Sequence, residues 1–376
     1  MSNKKPLEIF YEVAGTLDNP YLQEWKANGG KTIGYYYSWI PEEILMAAGI
    51  TPFRLRATGA TGMERADKYL SSINCSYARC HLNQVIAGAY DFLDGVIGFN
   101  ACDHIRREYD NWERLLNKNG KWFSFVDVPQ KQGDAQTQRY ASQLNRMKSA
   151  IEAKFGVEIT DEKLNYAIHL QNEIRGLQRK LYEMRMGSVI KVSGADVLTA
   201  ILAGFSMPKQ IYLNLLKEYI TEVEKAEGKP SGKRLMLLGG EFENPELLSI
   251  IEGKSANIVT DMIWDGNRSI LYDVPIGSDP IYSLADYNLN IRPQDPRTAG
   301  TGKVRFEQIK EVGEKAKVDG YVHVKLALCD QYLFDQDDFN AFAKKNGMPT
   351  LRLDTEYILA STGQIKTRVQ AFLETL

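Results

Sequence analysis

A chain of 376 residues is long for one hydrophobic core and comfortable for two, so two domains are expected. An apolar fraction of 44%, a charged fraction of 25% and a formal charge of −2 leave no basic excess to neutralise a phosphate backbone, which argues against nucleic acid as a partner. No apolar stretch approaches the ~20 residues needed to cross a bilayer, and "MSNKKPLEIFYEVAG" lacks the apolar core and cleavage site of a signal peptide; a cytoplasmic protein without a membrane partner is expected.

After a polar lead, "KTIGYYYS" reads as a strand, and "WIPEEILMAAG" as a helix with Pro41 in its first turn and Gly49 at its end. Next come "ITPFRLRA" (strand), "ERADKYLSS" (short helix), "CSYARCHLNQVIAGAYDFL" (longer helix), "DGVIGFN" (strand), "DHIRREYDNWERLLNK" (helix) and "KWFSFVDVP" (strand). Strands alternating with helices imply a parallel sheet covered on both faces. From about residue 134 long amphipathic helices take over: "AQTQRYASQLNRMKSAIEAKFG", "DEKLNYAIHLQNEIRGLQRKLYEMR", "ADVLTAILAGF" and "PKQIYLNLLKEYITEVEKAEG". Beyond the break "EGKPSGKR" the alternation resumes with strands "LMLLGG", "ANIVTDMIW", "GYVHVKLAL" and "TLRLDT". Their helices are "NPELLSIIEGK", "KVRFEQIKEVGEKAK", "FDQDDFNAFAKKNG" and "GQIKTRVQAFLETL". The second half thus repeats the architecture of the first. The expected fold is α/β: two Rossmann- or flavodoxin-like domains with parallel sheets, at residues 1–158 and 229–376, joined by a helical connector at 159–228.

Four cysteines in so large a chain cannot form a secreted disulfide scaffold, so they are structural thiols or ligands. Open parallel sheets bind ligands beyond the carboxyl ends of their strands, and Cys102 and Cys329 both fall there, each just before an expected helix. A helix amino end favours a thiolate. Asp103 and Asp330, which follow them, read as helix caps. Cys75 also opens a helix, whereas Cys80, five residues on, is rotated by about 140° and should not share the site. The candidates Cys75, Cys102 and Cys329 would meet in the cleft between the domains. A closed zinc site wants four ligands and compact pairs, so zinc is disfavoured. Three remote thiolates suit a [4Fe-4S] cluster with one iron open to water or substrate. Spacing alone slightly favours the other reading, buried structural cysteines in an α/β protein.

The stretches "GYYYSWIPEEILMAAGITP", "CSYAR", "YDFLDGVIGFNACDHIRR" and "LDTEYILASTGQIKTRVQAFLE" resemble the catalytic subunits of 2-hydroxyacyl-CoA dehydratases, of the 2-hydroxyglutaryl-CoA dehydratase D-component type, and of the related benzoyl-CoA reductases. The resemblance spans almost the entire chain. It implies two parallel α/β domains holding one [4Fe-4S] cluster per chain, with an open iron, through Cys75, Cys102 and Cys329 in the interdomain cleft. It also implies an acyl-CoA substrate, a homologous second catalytic subunit, and a separate iron–sulfur ATPase activator that injects the electron.

In such enzymes an electron added to the thioester carbonyl gives a ketyl radical anion that expels the neighbouring hydroxyl and makes the β proton removable; the electron then returns. The donor must lie near the negative end of the iron–sulfur range, about −700 mV. No nucleotide-binding G-x-x-x-x-G-K-[ST] is present: "RTAGTGKV" has Arg297 where the first glycine belongs and Val304 in place of the hydroxyl residue. ATP hydrolysis therefore belongs to the separate activator. A benzoyl-CoA reductase subunit, which would deliver electrons to an aromatic ring and leave them there, and a non-catalytic electron-relay subunit are the alternatives.

The resemblance places an active-site serine near Ser38, at the end of the first strand, where a plain helix-start serine is equally expected. Glu42 and Glu43 read as helix-dipole partners rather than bases. His104 reads as a surface histidine, and Arg79, Arg106 and Arg107 as a solvated helix face, over contacts to the cluster or to CoA phosphates. "TGATG", residues 58 to 62, reads as a flexible loop after a strand that could admit substrate, although a Gly/Thr loop by itself is weak evidence for that.

Overall fold

Short runs rich in Val, Ile, Tyr and Phe, closed by Gly, Pro or Asn, set the strands of this protein. The computed structural model describes residues 4–116, 120–240, 242–360 and 362–376. In the first half, β1 (Lys31–Tyr35), β2 (Ile50–Arg54), β3 (Gly95–Phe99) and β4 (Trp122–Val126) form a parallel sheet of order β2-β1-β3-β4. A two-residue antiparallel pair, β5 (Val189–Ile190) with β6 (Lys229–Pro230), lies between the halves in sequence. In the second half, β7 (Lys233–Gly239), β8 (Ala256–Met262), β9 (Gly320–Leu326) and β10 (Thr350–Thr355) run parallel in the order β8-β7-β9-β10. Both sheets therefore place their strands second, first, third, fourth. Each reverses direction between its first and third strands, and at that point a crevice opens beyond the carboxyl ends.

The helices are α1 (Pro6–Ala14), α2 (Pro20–Ala27), α3 (Glu42–Ala47), α4 (Ser76–Ile86) and α5 (Asp103–Leu116). The central group is α6 (Asp134–Phe155), α7 (Asp161–Met186), α8 (Gly194–Gly204) and α9 (Lys209–Lys225). The last are α10 (Pro245–Glu252), α11 (Asn267–Ile270), α12 (Pro280–Asp286), α13 (Gly302–Lys315), α14 (Asp330–Lys345) and α15 (Thr362–Leu373).

Several boundaries differ from the sequence expectation. The short helix over "ERADKYLSS" is only a 3-10 turn, Ala66–Lys68. The helix after Cys75 stops at Ile86, where Gly88 at φ +82° turns the chain out. The α14 helix starts at Asp330, four residues before the expected "FDQDD". The expected end of α5 at Asn117 and Lys118 lies outside the described residues. The polar lead is two helices: Pro6 opens α1, and the Asn19 side chain caps α2 by accepting from the Tyr21 and Leu22 amides.

Two cores exchange segments. The first sheet packs with α6, the start of α7 (Leu164, Ala167, Ile168) and, from the second half, α12 (Ile281, Leu284, Ala285). The second sheet packs with α8, α9 and, from the start of the chain, α1 (Ile9, Phe10, Val13). This interleaving fixes one crevice against the other.

Candidate functional site

Cys102 follows the last residue of β3 by three positions, and Cys329 follows the last residue of β9 by three. They occupy the same place in the two repeats, at the switch point of each sheet, and each immediately precedes a helix. Cys75 is the N-cap residue of α4, with extended backbone. All three line one cavity between the halves, with about 690 Å³ of empty space up to its mouth. Cys75 is buried, while Cys102 and Cys329 are partly exposed toward that space. Leu328, at φ +61°, turns the chain sharply before Cys329, in a conformation a leucine adopts only when the surrounding fold imposes it.

Backbone amides of the helix starts act on the sulfurs as expected: that of Ala78 on Cys75, those of Ile105 and His104 on Cys102, and that of Tyr332 on Cys329 all favour the thiolate. Burial is the larger effect. It pushes Cys75 well above the usual thiol range, Cys102 up to about 12, and Cys329 upward as well, with mutual repulsion among the three adding to it. The expectation that helix amino ends would leave low-pKa thiols is corrected accordingly. Three thiolates in so enclosed a space are stable only with positive charge among them.

Among the described residues no three His, Cys, Asp or Glu side chains gather closely enough to hold a single metal ion. What the three cysteines share is the lining of one cavity, an arrangement compatible with a group that spreads its ligands over several metal atoms, as an iron–sulfur cluster does. The walls suit it too. Tyr37 stacks between Tyr77 (6.1 Å, 21°) and Trp264 (5.7 Å, 22°), and Phe99 meets Tyr37 edge-on at 6.0 Å. Positive charge comes from Arg297 and Lys325, which also line the cavity.

Cys80 is buried on the far side of α4, outside the cavity lining, its thiol pushed up to about 12 by burial. His104 is not a surface residue: it lines the cavity, its Nδ1 accepts the Cys75 amide at 3.3 Å, and its Nε2 lies 3.8 Å from Asp330. It thereby ties the starts of α4, α5 and α14. Asp103 and Asp330 are the first helical residues of α5 and α14 rather than their caps, and both are exposed.

Ser38 lies outside the thiol cavity. It lines an adjoining cavity of about 480 Å³, where Arg292 donates to its carbonyl at 2.8 Å and its Oγ at 2.6 Å. Its neighbours Tyr37 and Trp39 face the thiols instead. Glu42 and Glu43 are not simple dipole partners: both are buried, Glu42 paired with Lys209 and Tyr35, and Glu43 with Arg175 at 2.6 Å. Arg106 and Arg107 lie on an exposed face of α5, bonded to Asp103 and Asp110, whereas Arg79, on α4, is largely buried and bonded to Asp67, which corrects the expectation of a solvated face for it.

Sequence reasoning missed Arg297, Asp295, Lys325 and Trp264, all on the cavity wall. A lysine within the apolar strand "GYVHVKLAL" and the paired prolines of "RPQDPRT" were the available signals.

The chain matches the model of the family described as 2-hydroxyglutaryl-CoA dehydratase, D-component, over residues 37–376. It is 27% identical to a benzoyl-CoA reductase subunit of Thauera aromatica, across 91% of this chain and 89% of that protein. It is 26% identical to the (R)-phenyllactyl-CoA dehydratase beta subunit of Clostridium sporogenes, across 100% of both. To the beta subunit of (R)-2-hydroxyglutaryl-CoA dehydratase of Acidaminococcus fermentans it is 24% identical, across 98% of both. No helix among the described residues is long and apolar enough to cross a membrane. With two equivalent strand-end cysteines and a third converging on one interdomain cavity, and a family match that runs through all three, the chain belongs to the 2-hydroxyglutaryl-CoA dehydratase D-component family.

Proposed function

We propose that this chain is an iron–sulfur subunit of a 2-hydroxyacyl-CoA dehydratase, driven by a separate iron–sulfur ATPase activator and paired with a homologous subunit. The observation that carries the reading is the convergence of Cys75, Cys102 and Cys329, from two repeats, on one aromatic-walled cavity. A [4Fe-4S] cluster bound there with one open iron would supply a low-potential electron and a Lewis-acid site for a thioester carbonyl. The chain's own part is to hold and insulate. Amides at three helix starts favour the thiolates, Tyr37, Tyr77 and Trp264 exclude water, and Arg297 and Lys325 offset negative charge. The relatives' names include dehydratase beta subunits and a benzoyl-CoA reductase subunit, so ring reduction is the second reading. Reductant use separates the two, because a dehydratase recycles its electron and a ring reductase consumes two per product.

The decisive experiment is iron and sulfide analysis after anaerobic purification. About four irons per chain are expected in the wild type, with iron lost in Cys102→Ser and retained in Cys80→Ser, whose thiol lies outside the cavity. A colourless wild-type protein defeats the proposal.

A further inference from the structure

Both ring nitrogens of His104 meet helix starts that carry a thiol. His104 is the second residue of α5, stands two positions after Cys102, and lines the thiol cavity. Its Nδ1 accepts the Cys75 amide at 3.3 Å, and its Nε2 lies 3.8 Å from a carboxylate oxygen of Asp330, the residue after Cys329. Cys75 is buried and precedes α4 as its N-cap residue, so the helix itself offers its amide no acceptor, and His104 supplies one. A ring nitrogen that accepts carries no proton. In the neutral imidazole the proton is therefore on Nε2, which faces Asp330 as a donor.

The two contacts differ in strength and in what they join. The one to Cys75 lies within the first half and has hydrogen-bond geometry. The one to Asp330 crosses to the second half and, at 3.8 Å, is longer than a hydrogen bond. The His104 side chain is 13% exposed and that of Asp330 61%, and both line the cavity, so this crossing sits where the cavity meets solvent. Beside Cys75 a different crossing is tight: the Tyr357 amide, beyond β10, donates to the buried Ser76 Oγ at 2.8 Å. The halves are thus pinned at the start of α4 and loosely closed at the start of α14.

Resting on the iron–sulfur reading, we propose that His104 is a positioning residue that latches the thiol cavity: fixed to the Cys75 side through Nδ1, it closes against Asp330 through Nε2–H and sets how readily a metal group held by Cys75, Cys102 and Cys329 is lost. His104 is not itself a metal ligand, because one nitrogen is engaged by the Cys75 amide and the other carries the proton. A site of this kind has to open for loading and then stay shut against chelators and oxygen. A contact weak enough to break, mounted on the backbone that carries the sulfurs, meets both needs.

The test separates the two contacts, since His104→Asn puts an oxygen acceptor near the place of Nδ1 and His104→Gln an amide donor near that of Nε2. The full chain, metal-free, is alkylated with iodoacetamide and each cysteine is followed by peptide mass spectrometry. In His104→Leu both Cys75 and Cys329 should react at least about tenfold faster than in the wild type. His104→Asn should return Cys75 to the wild-type rate and leave Cys329 fast, His104→Gln should do the reverse, and Asp330→Ala should match His104→Asn. Cys80, outside the cavity lining, should react at the wild-type rate throughout and so report an intact fold. The full chain loaded anaerobically with iron and sulfide is then challenged with bathophenanthroline disulfonate, and His104→Leu should release iron at least about tenfold faster than the wild type. Wild-type rates in His104→Leu, or Cys75 and Cys329 accelerated alike in both His104→Asn and His104→Gln, overturn the proposal and leave the iron–sulfur reading standing. Should Cys80 also quicken in His104→Leu, the other three variants decide alone. A wild-type chain that takes up no iron overturns the iron–sulfur reading, and the alkylation pattern then still upholds or overturns the latch.

Discussion

His323 lies within β9, buried, with its ring edge-on to Phe339 at 5.5 Å and its Nδ1 without a hydrogen-bond partner among the described residues. Burial lowers its pKa to about 4, against a smaller opposing pull from Asp335. The folded value lies below the unfolded one, about 6.5, so the folded chain binds fewer protons in between. Stability from a neutral His323 is therefore present above the unfolded value and lost as pH falls through the folded one. The difference corresponds to about 3 kcal/mol. His323→Leu keeps the apolar packing and removes the titration. Unfolding free energies from urea at pH ~5 and ~7.5 should differ less in the variant than in the wild type, by about 2 kcal/mol, since pH 5 still lies above the folded value. An unchanged difference would show that His323 accepts a proton in place.

At the scale of elements, α1 shows how a short helix escapes notice and still matters. Its buried residues Ile9, Phe10, Val13 and Ala14 repeat at helical spacing, yet the nine residues lie among lysines and glutamates and read as a polar lead. Phe10 is fully buried, edge-on to Tyr219 at 5.6 Å and tilted on Tyr212 at 5.8 Å, both on α9. Phe10→Ala should cost about 3–5 kcal/mol in denaturant unfolding, and amide exchange should quicken on α9 and α8 rather than on the first sheet. Uniform quickening would place α1 outside the second core. The eight strands of the two sheets were legible because most are compact apolar runs closed by turn residues, and β10, "TLRLDT", alternates apolar with polar residues. The places of Cys102 and Cys329 beyond strand ends, and of Cys75 at a helix start, were legible because these are sequence-local positions. Residues 265–301 were not, since their structure depends on distant partners: α12 packs on α6, Arg297 on carbonyls up to 197 positions away, and Arg292 on Ser38, 254 positions away. No local period encodes such contacts.

For the whole molecule, the thiol cavity exists only while the two halves hold their register, since two of its cysteines come from one repeat and one from the other. Among the described residues, several buried arginines cross between the halves, Arg54, Arg292 and Arg297 among them. Arg54, at the end of β2, reaches Asp265 at 2.8 Å and lies 3.5 Å over the Phe205 ring. Arg297 runs the opposite way, from the second half to the carbonyls of Asn100 (3.1 Å), Pro129 (3.1 Å) and Val128 (2.6 Å) at the ends of β3 and β4. The Asn100 contact is two residues from Cys102, so Arg297 fixes the backbone that carries that sulfur. Burial lowers the Arg297 pKa, but a guanidinium stays charged far above neutrality. Arg297→Met preserves the stem and leaves three carbonyls without that donor, at about 1–3 kcal/mol for each left unsatisfied. In metal-free protein Cys102 and Cys329 should then react with a disulfide reagent at least about tenfold faster, an opening free energy lower by about 1.4 kcal/mol. Far-ultraviolet circular dichroism should be unchanged. The same substitution at exposed Arg106, paired with exposed Asp103 at 3.5 Å, should leave thiol reactivity alone. Equal reactivity in Arg297→Met and the wild type would mean that the cavity is held closed without this crossing, with Arg54 and the exchanged helices sufficient for it.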